Sequence, residues 1–324
     1  MRTFELDEIR ARTVFSEVID AMRDAVVAQS SGDCDTPMPM HLAIAGEGAE
    51  VHIKSSYRRG GEFFAVKAAG SFPKKAARGE PTGSGSILLC SASTGEPVAF
   101  FDDRGWMTDV RTAAVAALAA RALGRRDEVL GILGSGAQAR HQARLHAEVL
   151  PLRRVLVWGR TADRIDALRR DLAGLLPGVE IVAARSVAEV AEKARLIVTT
   201  TSAREPLLGA DGLGPGTHVS AVGSDSPGKQ ELDPEVLRRA SLLLVDSVAQ
   251  CARLGELQHA PSEAARAVEL GSFCASPRRP PAGLTVCDFT GLGVEDLAIA
   301  EHVYRRARET VGAGGRFATG AESF

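Results

Sequence analysis

One stretch constrains the fold of this chain more than any other: an apolar run, Val129–Leu133, followed at once by Gly134-Ser135-Gly136-Ala137-Gln138-Ala139. A first glycine permits a tight turn off a strand. A second lets another group approach the backbone, and the alanine allows a helix to pack against the sheet. A helix beginning at Ala137 aims its free N–H groups and positive dipole end at whatever lies over the turn. The string alone is a weak signal. Here it opens a helical stretch and is followed by a second apolar run, Arg154–Trp158, at the spacing of a strand–helix–strand unit. This context predicts a dinucleotide held by Gly134, Ser135, Gly136, Ala137 and Gln138. The plainer alternative is a structural glycine turn.

The end of the second run bears on which dinucleotide. An acidic residue there would bind the ribose diol of NAD. The chain has Trp158-Gly159-Arg160-Thr161 instead. Arg160 can pair with a 2′-phosphate and Thr161 can donate a hydrogen bond, so NADP(H) is preferred and NAD(H) is the alternative. Equally, Arg160 can face solvent while Thr161 caps the next helix. Thr199, Thr200 and Thr201 follow another apolar run, where they reach the cofactor or cap local backbone. Val222 and Gly223 end a further run and complete the expected cofactor set.

Further runs at Leu196–Thr199, 218–222, Leu242–Val245 and 284–287, with helices at 161–172 and Val187–Lys193 between them, give the rhythm of an open α/β sheet. The N-terminal third reads differently. An amphipathic helix at 15–27 precedes a loop at 30–39 and strands at 51–55, 63–69, 86–90 and 97–101. Thr108 is expected to cap an alanine-rich helix to Ala122. The PRRPPAG segment at 277–283 is a break, and a last helix spans 296–310. The expected architecture is α/β, a Rossmann-type domain over 123–292 plus a discontinuous α+β domain from 1–122 and 293–324.

A formal net charge of -2 gives no basic bias toward nucleic acid or anionic membrane. The odd count of 5 cysteines, with no CxxC pair, argues against a disulfide framework or zinc ribbon. The seven histidines form no HExxH arrangement, and no metal is expected. MRTFELDEIR lacks a following apolar region, and no run is long enough to span a membrane, so a cytoplasmic location is expected.

Candidate reaction groups lie outside the glycine loop. Lys67 ends the run Phe63-Phe64-Ala65-Val66-Lys67, where burial would lower its pKa for acid–base work; the alternative is a structural lysine, a reading shared with Lys54. Arg111, in Thr108-Asp109-Val110-Arg111-Thr112, offers a fork suited to a carboxylate. Asp225, in Ala221 to Glu231, can bind a substrate ammonium or move a proton across an interdomain cleft, or make an Asx turn before Pro227.

Taken together, GSGAQARHQ, TDVRTAA, AVGSDSPGKQEL, FFAVK and Asp288-Phe289-Thr290-Gly291 through Glu295-Asp296-Leu297-Ala298 resemble the ornithine cyclodeaminase/mu-crystallin family over nearly the whole chain. The resemblance implies a homodimer that acts on a small amino or imino acid. It implies that Lys67 and Arg111 hold the substrate carboxylate, that Lys67 also assists proton transfer, and that Asp225 is the catalytic or amine-binding carboxylate. The implied reaction is imino-acid reduction or amino-acid dehydrogenation. A cyclodeaminase that releases ammonia is the alternative, and a non-catalytic NADPH-binding protein is the second. Two departures weaken an ornithine assignment: Met38-Pro39-Met40-His41 stands where that pattern has an arginine, and His52–Lys54 where it has a glutamate. HIKSSYRRGGEFFAVK and WMTDVRTAA resemble the branch associated with ectoine utilisation.

Overall fold

The computed structural model describes residues 1–276 and 279–312 of the 324-residue chain. The N-terminal region forms a mixed sheet from β1 (Arg2–Glu5), β2 (Cys34–Asp35), β3 (Met40–Ile44), β4 (Ala49–Arg58), β5 (Phe63–Ser71), β6 (Gly83–Ser91) and β7 (Pro97–Asp102). Its order is β1-β7-β6-β5-β4-β2, with β3 paired to β4 off that path. Only β1 runs parallel, against β7. Helices α1 (Leu6–Arg12), α2 (Phe15–Ser30) and α3 (Trp106–Ala122) belong to the same part of the chain.

The second sheet contains β8 (Val129–Leu133), β9 (Arg154–Trp158), β10 (Glu180–Ala183), β11 (Leu196–Thr199), β12 (His218–Ala221), β13 (Leu242–Val245), β14 (Val268–Glu269) and β15 (Thr285–Asp288). All are parallel, in the order β10-β9-β8-β11-β12-β15-β13-β14. Between them run α4 (Ala137–Ala147), α5 (Ala162–Leu175), α6 (Val187–Lys193), α7 (Pro234–Arg239), α8 (Val248–Leu254) and α9 (Leu270–Ala275). The strands read as continuous apolar runs because both faces are covered. Leu130 and Ile132 join one buried cluster with Ala139 and Leu168, while Leu133 joins another with Val190 and Val236. The strand order reverses between β8 and β11, which is where the rules for open α/β sheets put a ligand.

The last helix, α10 (Gly293–Gly312), returns to the first sheet and packs on β4, β5, β6, α2 and α3. Ile299, Ala300 and Val303 enter the cluster that holds Phe63, Ala65, Ile87 and Leu89. A side chain at Gly293 would drive a Cβ to 2.4 Å from the Ser55 carbonyl oxygen, so this glycine lets the helix start touch the strand.

Several expectations need correction. The alanine-rich helix begins at Trp106, because Gly105 turns with φ 89 and the Asp103 carboxylate accepts the Met107 N–H at 2.7 Å; Thr108 is not its cap. The segment 30–39 contains the short β2, and β3 follows it; exposed on both faces, β3 lacks the alternation that marks a strand. β1 and β10 escape the sequence pattern because, largely exposed, they lack the continuous apolar run that marks the buried four-residue strands. The last helix starts three residues earlier than 296. Thr161 sits at the N-cap of α5 but its side chain makes no capping bond. Within the break at 277–283, residues 277 and 278 lie outside the described residues, as does the tail from 313.

Candidate active site

The turn after β8 opens a cleft of about 200 Å³ lined by Gly134, Ser135, Gly136, Arg160, Thr161, Arg164, Thr200 and Thr201, with Trp158, Gly159, Ser202, Ala203 and Leu207. Gly134 adopts φ 135, and a Cβ there would lie 2.2 Å from Thr200 Oγ1. Gly136 has open space where its side chain would be. It is the N-cap of α4, and no side chain caps that helix, so the first-turn N–H groups are left facing the cleft. Arg160 and Arg164 bring two guanidinium groups to the cleft, and among the described residues no carboxylate lines it.

The threonine run divides. Thr200 and Thr201 line the cleft, whereas Thr199 is fully buried and its hydroxyl donates to Glu231 Oε2 at 2.6 Å. Glu231 also accepts the Thr201 N–H at 2.5 Å, the Thr201 hydroxyl at 2.8 Å and the Gly223 N–H at 2.8 Å. One buried carboxylate therefore fixes the ends of β11 and β12 relative to each other. Ala137 and Gln138 follow the cleft residues in the chain, and Val222 and Gly223 are tied to the threonine run through the Thr199 carbonyl and the Glu231 carboxylate; none of the four lines the cleft.

A second constellation is ionic. Lys54 and Lys67 are direct cross-strand partners on β4 and β5, and both point into the interior beneath α10. Two like charges in that position repel. The start of α10 answers with adjacent acids. Lys67 Nζ lies 2.7 and 2.9 Å from the two Asp296 carboxylate oxygens, and Arg111 donates through Nε to Asp296 at 2.9 Å and through Nη1 to Glu295 at 2.8 Å. Among the described residues, Lys54 donates only to the carbonyls of Thr290 and Gly291, at 3.0 and 2.8 Å. All five charged groups are at most 6 % exposed.

These surroundings set the protonation chemistry. Burial, and next the Arg111 guanidinium, lower the Lys67 pKa to about 7 although Asp296 opposes them. Burial and Arg111 lower that of Lys54 as well. Burial raises Glu295 to about 7 against the pull of Arg111. Asp296 is held below its usual value: Lys67 and Arg111 outweigh the effect of burial.

Gln138 joins the two constellations. Its side-chain amide donates to the Asp109 carbonyl at 3.1 Å and to the Asp109 carboxylate at 3.0 Å. The first turn of the glycine-loop helix is thereby fastened to the helix that carries Arg111. Asp109 itself is pushed up to about 6 by burial.

Asp225 stands elsewhere. It accepts from Lys229 at 2.6 Å and from Ser226 at 3.2 Å, and makes no hydrogen bond or ion pair with Lys67 or Arg111 among the described residues. Burial would raise its pKa, but Lys229 and then His52 hold it at about 2. Lys54 is its link to the buried cluster, since each feels the other's charge.

Glu295 and Asp296 carry no site role in the sequence, although both fall within the resemblance, and Lys54 stands there between acid–base work and a structural part. Adjacent acids at the start of an otherwise apolar helix were the available signal, since burying that helix buries them too. Among the histidines, β3 and β4 bring His41 and His52 together with Glu50, their candidate ligand atoms all within 4.8 Å of one another.

Known proteins of this shape put the geometry in context. A Rhizobium meliloti protein named as a dehydrogenase is 38% identical over 300 residues, 90% of this chain and 91% of its own. The Thermococcus litoralis delta(1)-pyrroline-2-carboxylate reductase, solved with NADH and L-proline, superposes with a TM-score of 0.89 at 27% identity and covers 96% of this chain and 98% of its own. An archaeal alanine dehydrogenase dimer with bound NAD gives 0.86 at 26%, covering 96% and 97%. The profile of the ornithine cyclodeaminase/mu-crystallin family matches residues 3–311, and the chain belongs to that family.

Proposed function

We propose that this protein is an NAD(P)H-dependent imino-acid reductase or amino-acid dehydrogenase acting at the α-carbon of a small amino or imino acid. The observation that carries the reading is the Gln138–Asp109 bridge, which ties a dinucleotide-shaped cleft to a buried cluster holding an acid–base lysine beside an arginine. The cleft fits such a cofactor: open space over Gly136, uncapped N–H groups on α4 and a location at the switch point of the sheet. When bound, the reduced dinucleotide supplies a hydride.

The protein's own residues do the rest. Arg111 spends Nε and Nη1 on the α10 carboxylates, and Nη2 has no partner among the described residues, so a substrate carboxylate fits there. Lys67 shares that carboxylate and, as the ammonium, gives its proton to the imine nitrogen; in the reverse direction the neutral amine takes it back. Asp296 holds the Lys67 side chain in place. Asp225 takes the substrate amino group or a proton. Ser135, Gly136, Ala137, Thr200, Thr201, Val222 and Gly223 form the cofactor's surroundings, and Thr199 supports them through Glu231.

Three finer points belong to the proposal. NADP(H) is preferred, on the support of Arg160 and Arg164 and of a cleft lining without carboxylates. The protein is a homodimer, as the archaeal relative is, with 1–122 and 293–324 forming the substrate and dimerisation domain and 123–292 the dinucleotide domain. It works in the cytoplasm, for which the support is five free, buried cysteines. Among the described residues, no helix is long and apolar enough to cross a membrane.

The test is a panel of cyclic and linear imino acids and diamino acids, diaminobutyrate included for the ectoine-utilisation resemblance, each with NADH or NADPH. Absorbance, product mass and ammonia are followed together. One reduced cofactor consumed per imine is the expected result. Ammonia and a cyclic amino acid without net cofactor loss would establish a cyclodeaminase instead. Tight cofactor binding without turnover of any substrate would leave the non-catalytic reading.

A further inference from the structure

We infer that His41, Glu50 and His52 form a binding site for one divalent transition-metal ion of the zinc type, at the junction between the first sheet and the loop after β12. The register builds the site. His41 on β3 lies directly opposite His52 on β4, and Glu50, two residues before His52, projects from the same face. The imidazole Nε2 atoms of His41 and His52 lie 3.7 and 3.9 Å from the same carboxylate oxygen, Glu50 Oε2. The candidate ligand atoms are all within 4.8 Å of one another.

Two imidazoles and a carboxylate are a ligand set suited to zinc, cobalt, nickel or copper, and not to calcium or magnesium. Bonds of about 2.0–2.1 Å put neighbouring ligands around zinc roughly 3.3–3.6 Å apart, so the observed spacing closes with small side-chain rotations. The other carboxylate oxygen, Glu50 Oε1, faces Arg204 Nη2 at 3.4 Å, which leaves Oε2 turned toward the histidines. Lys229 is 4.0 Å from Oε2 but is paired with Asp225 at 2.6 Å. Ser226 Oγ, from the second sheet's loop, is 3.4 Å from both Glu50 Oε2 and His52 Nε2. An ion here would have three ligands from the hairpin and a fourth position facing Ser226. It would fasten the first sheet to the loop that carries Asp225 and Ser226. The site stands whether or not the reductase reading holds.

The experiment uses the full chain, stripped with chelator, then titrated with Zn2+ against a chromophoric competitor and with Co2+ for its visible ligand-field bands. The expected result is one ion per chain, with affinity lowered in His41→Ala, His52→Gln and Glu50→Gln by more than the roughly 10–100-fold that losing an outer-shell partner costs. Far-ultraviolet circular dichroism checks that each variant folds. His41→Ala, on an exposed strand, is the variant to rely on if the His52 change fails that check. No binding by the wild-type chain, or binding that survives all folded variants unchanged, would overturn the assignment.

Discussion

At the scale of single residues, Lys67 carries the sharpest consequence. In imine reduction it must hold the proton it gives, and its pKa is about 7, lowered first by burial and then by Arg111. For reduction, kcat/KM should therefore be level below pH 7 and fall by about tenfold per pH unit well above it. In the oxidative direction the sign reverses, because the neutral amine accepts the proton. A profile flat from acid to alkaline in both directions would remove Lys67 from proton transfer. Lys67→Met should lower kcat by about 10²–10⁴-fold while fluorescence titration finds dinucleotide binding unchanged. Arg160→Asp isolates the other end of the cleft: it places a carboxylate where the 2′-phosphate is proposed and should reverse the preference toward NADH. An unchanged NADPH-to-NADH ratio of kcat/KM would reject that contact.

At the scale of elements, the glycine turn separates folding from binding. Gly134 is held at φ 135 against Thr200, so Gly134→Ala forces strain and should cost about 1–3 kcal/mol of stability together with cofactor affinity. Gly136 sits at φ -83 with open space beyond it. Gly136→Val should leave the melting temperature nearly unchanged yet weaken dinucleotide binding at least tenfold, because the new side chain fills the space proposed for the pyrophosphate. Equal melting temperatures for the two variants would mean that the turn is not strained as described. This turn was legible in the sequence because its function is local: strand, glycines and helix start are consecutive. Parallel strands such as Leu196–Thr199 and Leu242–Val245 were legible for a related reason, since burial on both faces makes them continuous apolar runs. The ionic cluster was legible only in part. Lys67 and Arg111 stand out in apolar surroundings, but their partners Glu295 and Asp296 come from a helix 229 residues further on than Lys67 in the Lys67–Asp296 bond. Nothing local announces that pairing. His41 and His52 were invisible as a pair because β3, exposed on both faces, has no alternation to reveal it, and only its register brings the rings together.

At the scale of the molecule, the same strand poses a question of assembly. β3 exposes Met40 at 63% and Leu42 at 51%, with Met38 just before it at 42%. Long apolar side chains on a peripheral strand invite another chain. The register sorts the strand into two faces. Met40 and Leu42 lie opposite Ile53 and Val51, whereas His41 lies opposite His52 on the face toward Ser226. A partner covering Met40 and Leu42 would thus press on one side of a hairpin whose other side carries Glu50 and His52 against Ser226. The proposed homodimer should run in sedimentation at twice the 34.1 kDa chain mass. Replacing both Met40 and Leu42 by lysine should shift it to monomer, since like charges would meet across a two-fold contact. Turnover should fall with dissociation, and recover at protein concentrations that restore the dimer. A wild-type chain that sediments as a monomer, or a lysine variant that stays dimeric, would show that this face is not the contact.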